Sequence, residues 1–183
     1  MSKAVLITGA SRGIGAATAR IAAARGYHVC VNYRSDARAA NEVVAQIKAN
    51  GGSAFATQAD VSLESDVLRL FETLDRKIGP LSALVNNAGI LERQMRVEEM
   101  SAERIQRVFA TNVIGAMLCA REAVKRMSTK HGGSGGAIVN VSSMAARLGS
   151  PNEYVDYAAS KGAIDTFTVG LAKEVAAEGI RVN

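Results

Sequence analysis

Ala4-Val5-Leu6-Ile7-Thr8-Gly9-Ala10-Ser11-Arg12-Gly13-Ile14-Gly15 is the stretch that decides the fold. Its first four residues form an apolar run of the kind that makes a parallel strand buried on both faces. Thr8 to Gly15 then follows the pattern T-G-x-x-x-G-x-G, and residues 16–25 read as a helix that Gly26 ends. Strand, glycine-rich turn and helix in that order make a site for a dinucleotide pyrophosphate. Glycine lets the backbone turn sharply and approach a ligand closely. The helix start offers free N–H groups and partial positive charge to phosphates. The candidate cofactor-binding residues of this stretch are Gly9, Ser11, Arg12, Gly13, Ile14 and Gly15. Glycine-rich turns also join strands to helices for steric reasons alone, so the remaining chain has to decide.

Outward from this stretch the elements alternate. Residues 27–32 read as a second strand ending in the polar turn Tyr33-Arg34-Ser35-Asp36. A helix over 37–50 carries Ala40, Val43, Val44 and Ile47 on one face. Residues 54–58 form a third strand, followed by Asp60-Val61. Ser62 reads as the cap of a helix whose stripe is Val67, Leu70, Phe71, Leu74 and Ile78, with Gly79-Pro80 ending it. A fourth strand, 81–85, runs into Asn86-Asn87-Ala88-Gly89. Ser101 caps a long helix predicted over 102–127, with Ile105, Val108, Phe109, Asn112 and Val113 on one side. The glycines of 132–136 read as a surface loop. A fifth strand over 137–141 is closed by Ser142-Ser143, a loop carries Gly149 and Pro151, a long helix covers 153–178, and 180–182 begin a sixth strand. This alternation predicts an α/β fold: a Rossmann-like doubly wound parallel sheet with helices on both faces.

The composition agrees and narrows the function. The 183 residues suit one domain, taken here as a single NAD(P)-binding unit over 1–183. Hydrophobic residues make up 48% and aromatic ones only 4%, so the core is aliphatic. The net charge of +5 is not gathered into a basic run or interleaved with aromatics, which argues against nucleic acid as a partner. No apolar stretch is long enough to span a bilayer, so no membrane partner is expected. Cys30 and Cys119 each sit alone in apolar surroundings and read as packing residues. No metal site is expected, and a reducing, cytoplasmic location fits.

Chemistry is carried by Tyr157-Ala158-Ala159-Ser160-Lys161. On a helix, Lys161 stands one turn from Tyr157. An ammonium there favours the ionised phenol and suits the tyrosine to acid–base work on a carbonyl or alcohol oxygen. Ser143 lies at the end of a strand, where open parallel sheets bind ligands, and its hydroxyl can donate to a substrate oxygen. Each feature has a plainer reading: Y-x-x-x-K is a common pattern, and Ser142-Ser143 also suits a strand-end turn. Asn112, polar on an apolar helix face, needs hydrogen-bond partners whether its role is structural or functional.

Taken together and in order, the glycine pattern of 8–15, Asn86-Asn87-Ala88-Gly89, Asn112, Ser143, Tyr157-x-x-x-Lys161 and Ile180-Arg181-Val182-Asn183 resemble the short-chain dehydrogenase/reductase family over essentially the whole chain. The overall flavour is similar to its sugar dehydrogenase-like and 3-oxoacyl reductase-like members. The resemblance implies an oxidoreductase that interconverts a carbonyl and a secondary alcohol by hydride transfer. It implies Tyr157 as general acid/base, and Lys161 as the group that favours its ionised form and hydrogen-bonds the nicotinamide ribose. Ser143 would polarise the substrate oxygen, and Asn112 would hold a water in a proton relay. Asp60-Val61 would meet the adenine, and Asn87-Ala88-Gly89 would line the cofactor cleft. Tyr157 and Lys161 thus count among both catalytic and cofactor residues.

Two departures stand out. The Ser143–Tyr157 interval is one residue longer than the commonest family spacing. Family members also continue beyond R-V-N into a substrate-covering segment, another helix and a last strand, so the resemblance leaves two expectations, a fragment of a longer protein or a natural truncation with a damaged substrate site, and the intact upstream motifs favour a fragment of an active enzyme. The second strand ends at Tyr33 rather than at the carboxylate that binds the NAD ribose, and Arg34, Ser35 and Arg12 stand nearby. That predicts NADP(H) in preference to NAD(H), although Asp36 lies close by. The expected partner is a small-molecule carbonyl or alcohol, with a homodimer or homotetramer pairing through the helices at 102–127 and 153–178. The rival reading is a non-catalytic NADP(H)-binding sensor or scaffold.

Overall fold

The computed structural model describes residues 3–183. Six strands, β1 (Lys3–Ile7), β2 (Tyr27–Tyr33), β3 (Ser53–Gln58), β4 (Leu81–Asn86), β5 (Gly136–Asn140) and β6 (Ile180–Val182), form one sheet in the order β3-β2-β1-β4-β5-β6. Every pairing is parallel. The chain winds outward from β1 in one direction and from β4 in the other. The carboxyl ends of β1 and β4 therefore border the switch point where such sheets bind ligands.

Alternation along the strands divides the core. Leu6, Cys30, Leu84 and Ile138 face α3 (Glu64–Ile78) and α5 (Gly115–Met127), meeting Phe71, Leu74, Ala120 and Met127. Val5, Ile7, Val29 and Val31 face α1 (Gly13–Ala24) and α2 (Ala37–Ala49), meeting Ala16, Ala19, Val43 and Ile47. The carboxyl part of the long helix α7 (Val155–Val175) packs on the α3–α5 side through Phe167, Leu171 and Val175. On the α1–α2 side cover thins beyond β4, where Val139 is 40% exposed. Burial pushes the thiols of Cys30 and Cys119 up to about 12, so both are inert packing groups.

Several boundaries depart from expectation for physical reasons. The first helix begins at Gly13, so the last two glycines of the motif lie in its first turn. Ser62 is not a cap: its backbone N–H and its hydroxyl both donate to the Asp60 carboxylate. The helix begins at Glu64, and Asp66 in its first turn accepts from the Asp60 amide instead. The helix expected over 102–127 is interrupted. It runs as α4 (Ala102–Phe109), a π-helical turn over Ala110–Ile114, then α5, and the Gly115 amide reaches back five residues to the Ala110 carbonyl. Ile105 is exposed and Arg104 takes the inward place. The loop after β5 contains a one-turn helix, α6 (Ala145–Leu148). α7 starts at Val155 rather than 153 because Ser150 and Asn152 hold left-handed φ angles of 45° and 64°, which no α-helix accommodates. It ends in a tighter 3₁₀ turn, Ala176–Glu178.

Candidate functional site

The glycine loop is shaped by close approach. Gly9 has φ of 61°, and a Cβ there would lie 2.9 Å from the Ala88 Cα. A Cβ on Gly15 would meet Asn87 Nδ2 at 2.5 Å and the Gly9 carbonyl oxygen at 2.8 Å. Any side chain at either position would push the loop off the end of β4. On Gly13 a Cβ would meet open space, so that corner of the loop is accessible.

Side chains at three strand ends strap the loop down. The Thr8 hydroxyl accepts from the Asn87 and Ala88 amides, both at 3.0 Å. Asn87 Nδ2 donates to the carbonyls of Thr8 at 2.9 Å and Gly9 at 3.1 Å. Asn32, at the end of β2, accepts from Gly9 N at 3.2 Å through Oδ1 and from Ala10 N at 2.7 Å through its carbonyl, while Nδ2 donates to the Ala59 carbonyl. Thr8 and Asn32 are supports of the loop that the expected cofactor set does not include. A lone Asn in the apolar run of β2 was the available signal.

The loop opens onto a cleft of about 280 Å³. Gly9, Ser11, Arg12, Arg34, Ser35, Asp60, Val61, Asn87, Ala88 and Gly89 line it, all drawn from the expected cofactor set, and they are joined by Asn32, Asp36, Ala59, Ile90 and Thr111. Gly13, Ile14 and Gly15 stand outside the lining in the first turn of α1, with Ile14 67% exposed. Asp36 reaches the cleft, but its carboxylate accepts from Ala39 N at 2.9 Å and caps α2. The exposed guanidiniums of Arg12 and Arg34 are the cations of this lining.

A second group of residues stands beside the cleft at Gly89. A Cβ there would lie 3.4 Å from Asn112 Oδ1 and 3.8 Å from Lys161 Nζ. Lys161 is buried, donates to the Val141 carbonyl at 2.6 Å, and sits 5.7 Å from the centre of the Tyr157 ring. Burial pushes its ammonium below the usual lysine value, with Asp165 pulling the other way. The Asn112 side chain is a clamp. Its Oδ1 accepts from Ile90 N at 2.8 Å, and its Nδ2 donates to the Ile90 carbonyl and to Ser160 Oγ. Ser160 passes the connection to the Tyr157 carbonyl at 2.7 Å. Asn112 lies in the π-helical turn, and such insertions re-aim side chains within a helix. Ser143, half-buried at the end of β5, accepts from Ala145 N at 3.1 Å, which leaves its own proton free to donate. The neighbouring Ser142 hydroxyl is buried with no partner.

Around Tyr157 lies a charged pair that no local sequence pattern signals. Arg104 on α4 meets Asp156, the residue before Tyr157, through two hydrogen bonds of 2.8 and 3.2 Å. Burial by itself raises the Asp156 carboxyl. The Arg104 hydrogen bonds, the Tyr157 amide and the guanidinium charge outweigh it and hold the group below the usual aspartate range. The partners are 52 residues apart in sequence, and no local pattern connects them.

The chain matches the family model described as short chain dehydrogenase over residues 3–183. It is 64% identical over 178 residues to a protein named uncharacterized oxidoreductase YgfF in Escherichia coli, covering 97% of this chain and 72% of that protein. It is 42% identical over 182 residues to a 3-oxoacyl-(acyl-carrier-protein) reductase of Synechocystis, covering 100% of this chain and 72% of the relative. A crystal structure of a short chain dehydrogenase from Burkholderia cenocepacia in complex with NADP superposes with a TM-score of 0.92 at 34% identity, covering 100% of this chain and 72% of that one.

Proposed function

The chain belongs to the short-chain dehydrogenase family of oxidoreductases, and from that premise we propose that it interconverts a carbonyl and a secondary alcohol using NADP(H) in preference to NAD(H). The observation that carries the reading is the meeting of Lys161, Asn112 and the 86–90 loop at Gly89, with Tyr157 one helical turn from Lys161, directly beside the glycine-loop cleft.

The cleft fits a dinucleotide. Backbone around Gly9 to Gly13 and the first turn of α1 would take the pyrophosphate, and Asp60 and Val61 the adenine. Arg12 and Arg34 would bracket a 2′-phosphate, a task that suits the planar guanidinium. Two facts support the phosphate over a bare ribose: β2 ends on Tyr33, and the Asp36 carboxylate is engaged in capping α2. When bound, NADP(H) supplies the hydride donor or acceptor.

The remaining work falls to the chain. The Tyr157 phenol exchanges a proton with the substrate oxygen as its carbon gains or loses hydride. The Lys161 ammonium, 5.7 Å from the centre of the Tyr157 ring, would donate to the ribose. The Ser143 hydroxyl, with its proton free, donates to the substrate oxygen and steadies developing charge. Asn112 holds Ile90 against Ser160 and so fixes the wall between cofactor and tyrosine, and a water beside its Oδ1 would relay protons from Lys161.

By the likeness to the Synechocystis enzyme, a 3-oxoacyl compound is the first substrate to try. Pairing with a second copy through α5 and α7 is supported by Ile114, Met117 and Val169, apolar residues 50, 41 and 56% exposed along that helical layer. A cytoplasmic site accords with two free, buried cysteines. Among the described residues no helix is long and apolar enough to cross a membrane. The test is a fluorescence titration with NADPH and with NADH, followed by NADPH oxidation in the presence of ethyl acetoacetate. Tight NADPH binding, weak NADH binding and turnover are expected. Equal affinity for both nucleotides would remove the preference, and binding without turnover of any carbonyl would favour a sensor.

A further inference from the structure

Arg104 and Asp156 are more deeply enclosed than any other ion pair among the described residues, with side chains 5% and 2% exposed. All three guanidinium nitrogens donate. Nε and Nη2 take the two carboxylate oxygens, and Nη1 donates to the Arg93 carbonyl in the loop that follows Gly89. The carboxylate is shared in turn, because Asp156 Oδ1 also accepts from Tyr157 N at 2.9 Å. One arginine thus joins α4, the loop after β4 and the first turn of α7.

The loop after β4 and the residues leading into α7 are also laced together directly. Met95 N donates to the Glu153 carbonyl at 3.1 Å, Gln94 Nε2 to Glu153 Oε1 at 3.2 Å, and Arg96 Nη1 to Asn152 Oδ1 at 3.0 Å. Ser150 before this seam and Asn152 within it hold left-handed φ angles where the chain turns into α7.

A buried ion pair stabilises a fold no better than apolar residues of the same volume, because desolvation offsets its Coulomb attraction. What this pair supplies is geometry. First-turn amides of a helix have no partner within the helix, and the Tyr157 amide finds its partner in a carboxylate that the guanidinium fork holds in one orientation. Resting on the reading of Tyr157 given above, we infer that Arg104 and Asp156 are positioning residues that set where the Tyr157 phenol stands, by fixing the start of α7 against the loop that walls the substrate side.

Four variants of the full chain test this: Arg104→Met, Arg104→Lys, Asp156→Asn and the double replacement Arg104→Met/Asp156→Leu. In Arg104→Met, kcat for ethyl acetoacetate is expected to fall by about 100-fold, the effect of misplacing a reacting group by around an ångström. KM and NADPH affinity stay unchanged. Arg104→Lys and Asp156→Asn fall between this variant and the parent. The double replacement regains Tm but not kcat, which separates positioning from bulk stability. Amide hydrogen exchange gives a readout that needs no turnover: Met95 and Tyr157 lose protection in Arg104→Met while Ala10 keeps it. A kcat that follows Tm across the series, or undiminished protection of Met95 and Tyr157 in Arg104→Met, would overturn the inference. If the parent chain reduces no keto ester, the proposed activity falls by itself, and hydrogen exchange still decides whether this pair holds the start of α7.

Discussion

The proposed cofactor end and the proposed catalytic end of the site are built by different means. At the cofactor end, the ends of adjacent strands meet, and short polar residues there bond backbone to backbone: Thr8 to the Asn87 turn, Asn87 to Thr8 and Gly9, Asn32 to Gly9 and Ala59. Space is the constraint, and glycine meets it. At the catalytic end, the π-helical turn, β5 and α7 contribute one or two residues each. They are aligned by a buried chain from Ile90 through Asn112 and Ser160 to Tyr157, and by the Arg104–Asp156 pair. The first end is set by close approach at Gly9 and Gly15, where a Cβ would meet neighbouring atoms within 3 Å. The second is ordered because buried polar groups must be paired. Damage to the first should show in binding and stability, and damage to the second in turnover.

The largest expected effect is at the catalytic end. Tyr157→Phe should lower kcat by about 1,000-fold, within the range for loss of a general acid–base group, while a fluorescence titration finds NADPH affinity unchanged. A variant that keeps its rate would make the two ends indistinguishable. Gly15→Ala should do the reverse. Its new methyl group meets backbone atoms of Gly9 and Ala10 within 2.9 Å, and overpacking of this kind costs about 1–3 kcal/mol. Denaturant unfolding should show that loss together with weakened nucleotide binding, and a full-affinity Gly15→Ala protein would refute the steric account of the loop.

Arg34→Asp should turn the NADPH/NADH affinity ratio by about tenfold or more, since a hydrogen bond to a charged group contributes about 1.5–3 kcal/mol. Asp36→Ala, by contrast, should cost about 1 kcal/mol as a lost helix cap and leave that ratio where it was. If Asp36 rather than Arg34 moved the ratio, the division of labour in the turn after β2 would be reversed.

Acid should separate the two ends by a smaller margin. Asp156 is held below its ordinary value of 3.8 in the folded chain. Its contribution is therefore complete above that value and is lost as pH falls through the lower folded one. Hydrogen exchange in acid should show the Met95 and Tyr157 amides opening before Ala10, and in Asp156→Asn that pH dependence should vanish. Lys161 adds a second gain in stability with rising pH, at the alkaline end. Burial lowers it, so its charged form opposes folding until pH rises through its folded value. Lys161→Met should flatten the alkaline gain in Tm.

Much of this molecule could be read from residue order. The stripes Val67–Leu70–Phe71–Leu74 and Ala40–Val43–Val44–Ile47 are buried as their spacing implies, because a helix must hide its apolar face. Arg34, Asp60 and Ala88 line one cleft because each follows a strand of the same parallel sheet, which carries every strand's carboxyl end to the same edge. Less legible was the helix through Asn112. A uniform 3.6-residue period puts Ile105 inside, whereas the structure exposes it and buries Arg104. Ser62 reads as a cap by type, but its hydroxyl donates to Asp60, and the helix starts without a side-chain cap.

Residue order is enough for the alternation of elements, the glycine turn and the edge of the sheet at which the candidate site lies, since these rest on periodicity and on backbone freedom that act over a few residues. It takes the packed fold to place a charged residue instead of an apolar one inside α4, to clamp Ile90 to Ser160 through Asn112, and to share the Asp156 carboxylate between an arginine and the Tyr157 amide. Burying a charge or an amide costs free energy unless its partner is already in place. That partner stands tens of residues away in sequence, and only the completed fold brings it within hydrogen-bonding distance.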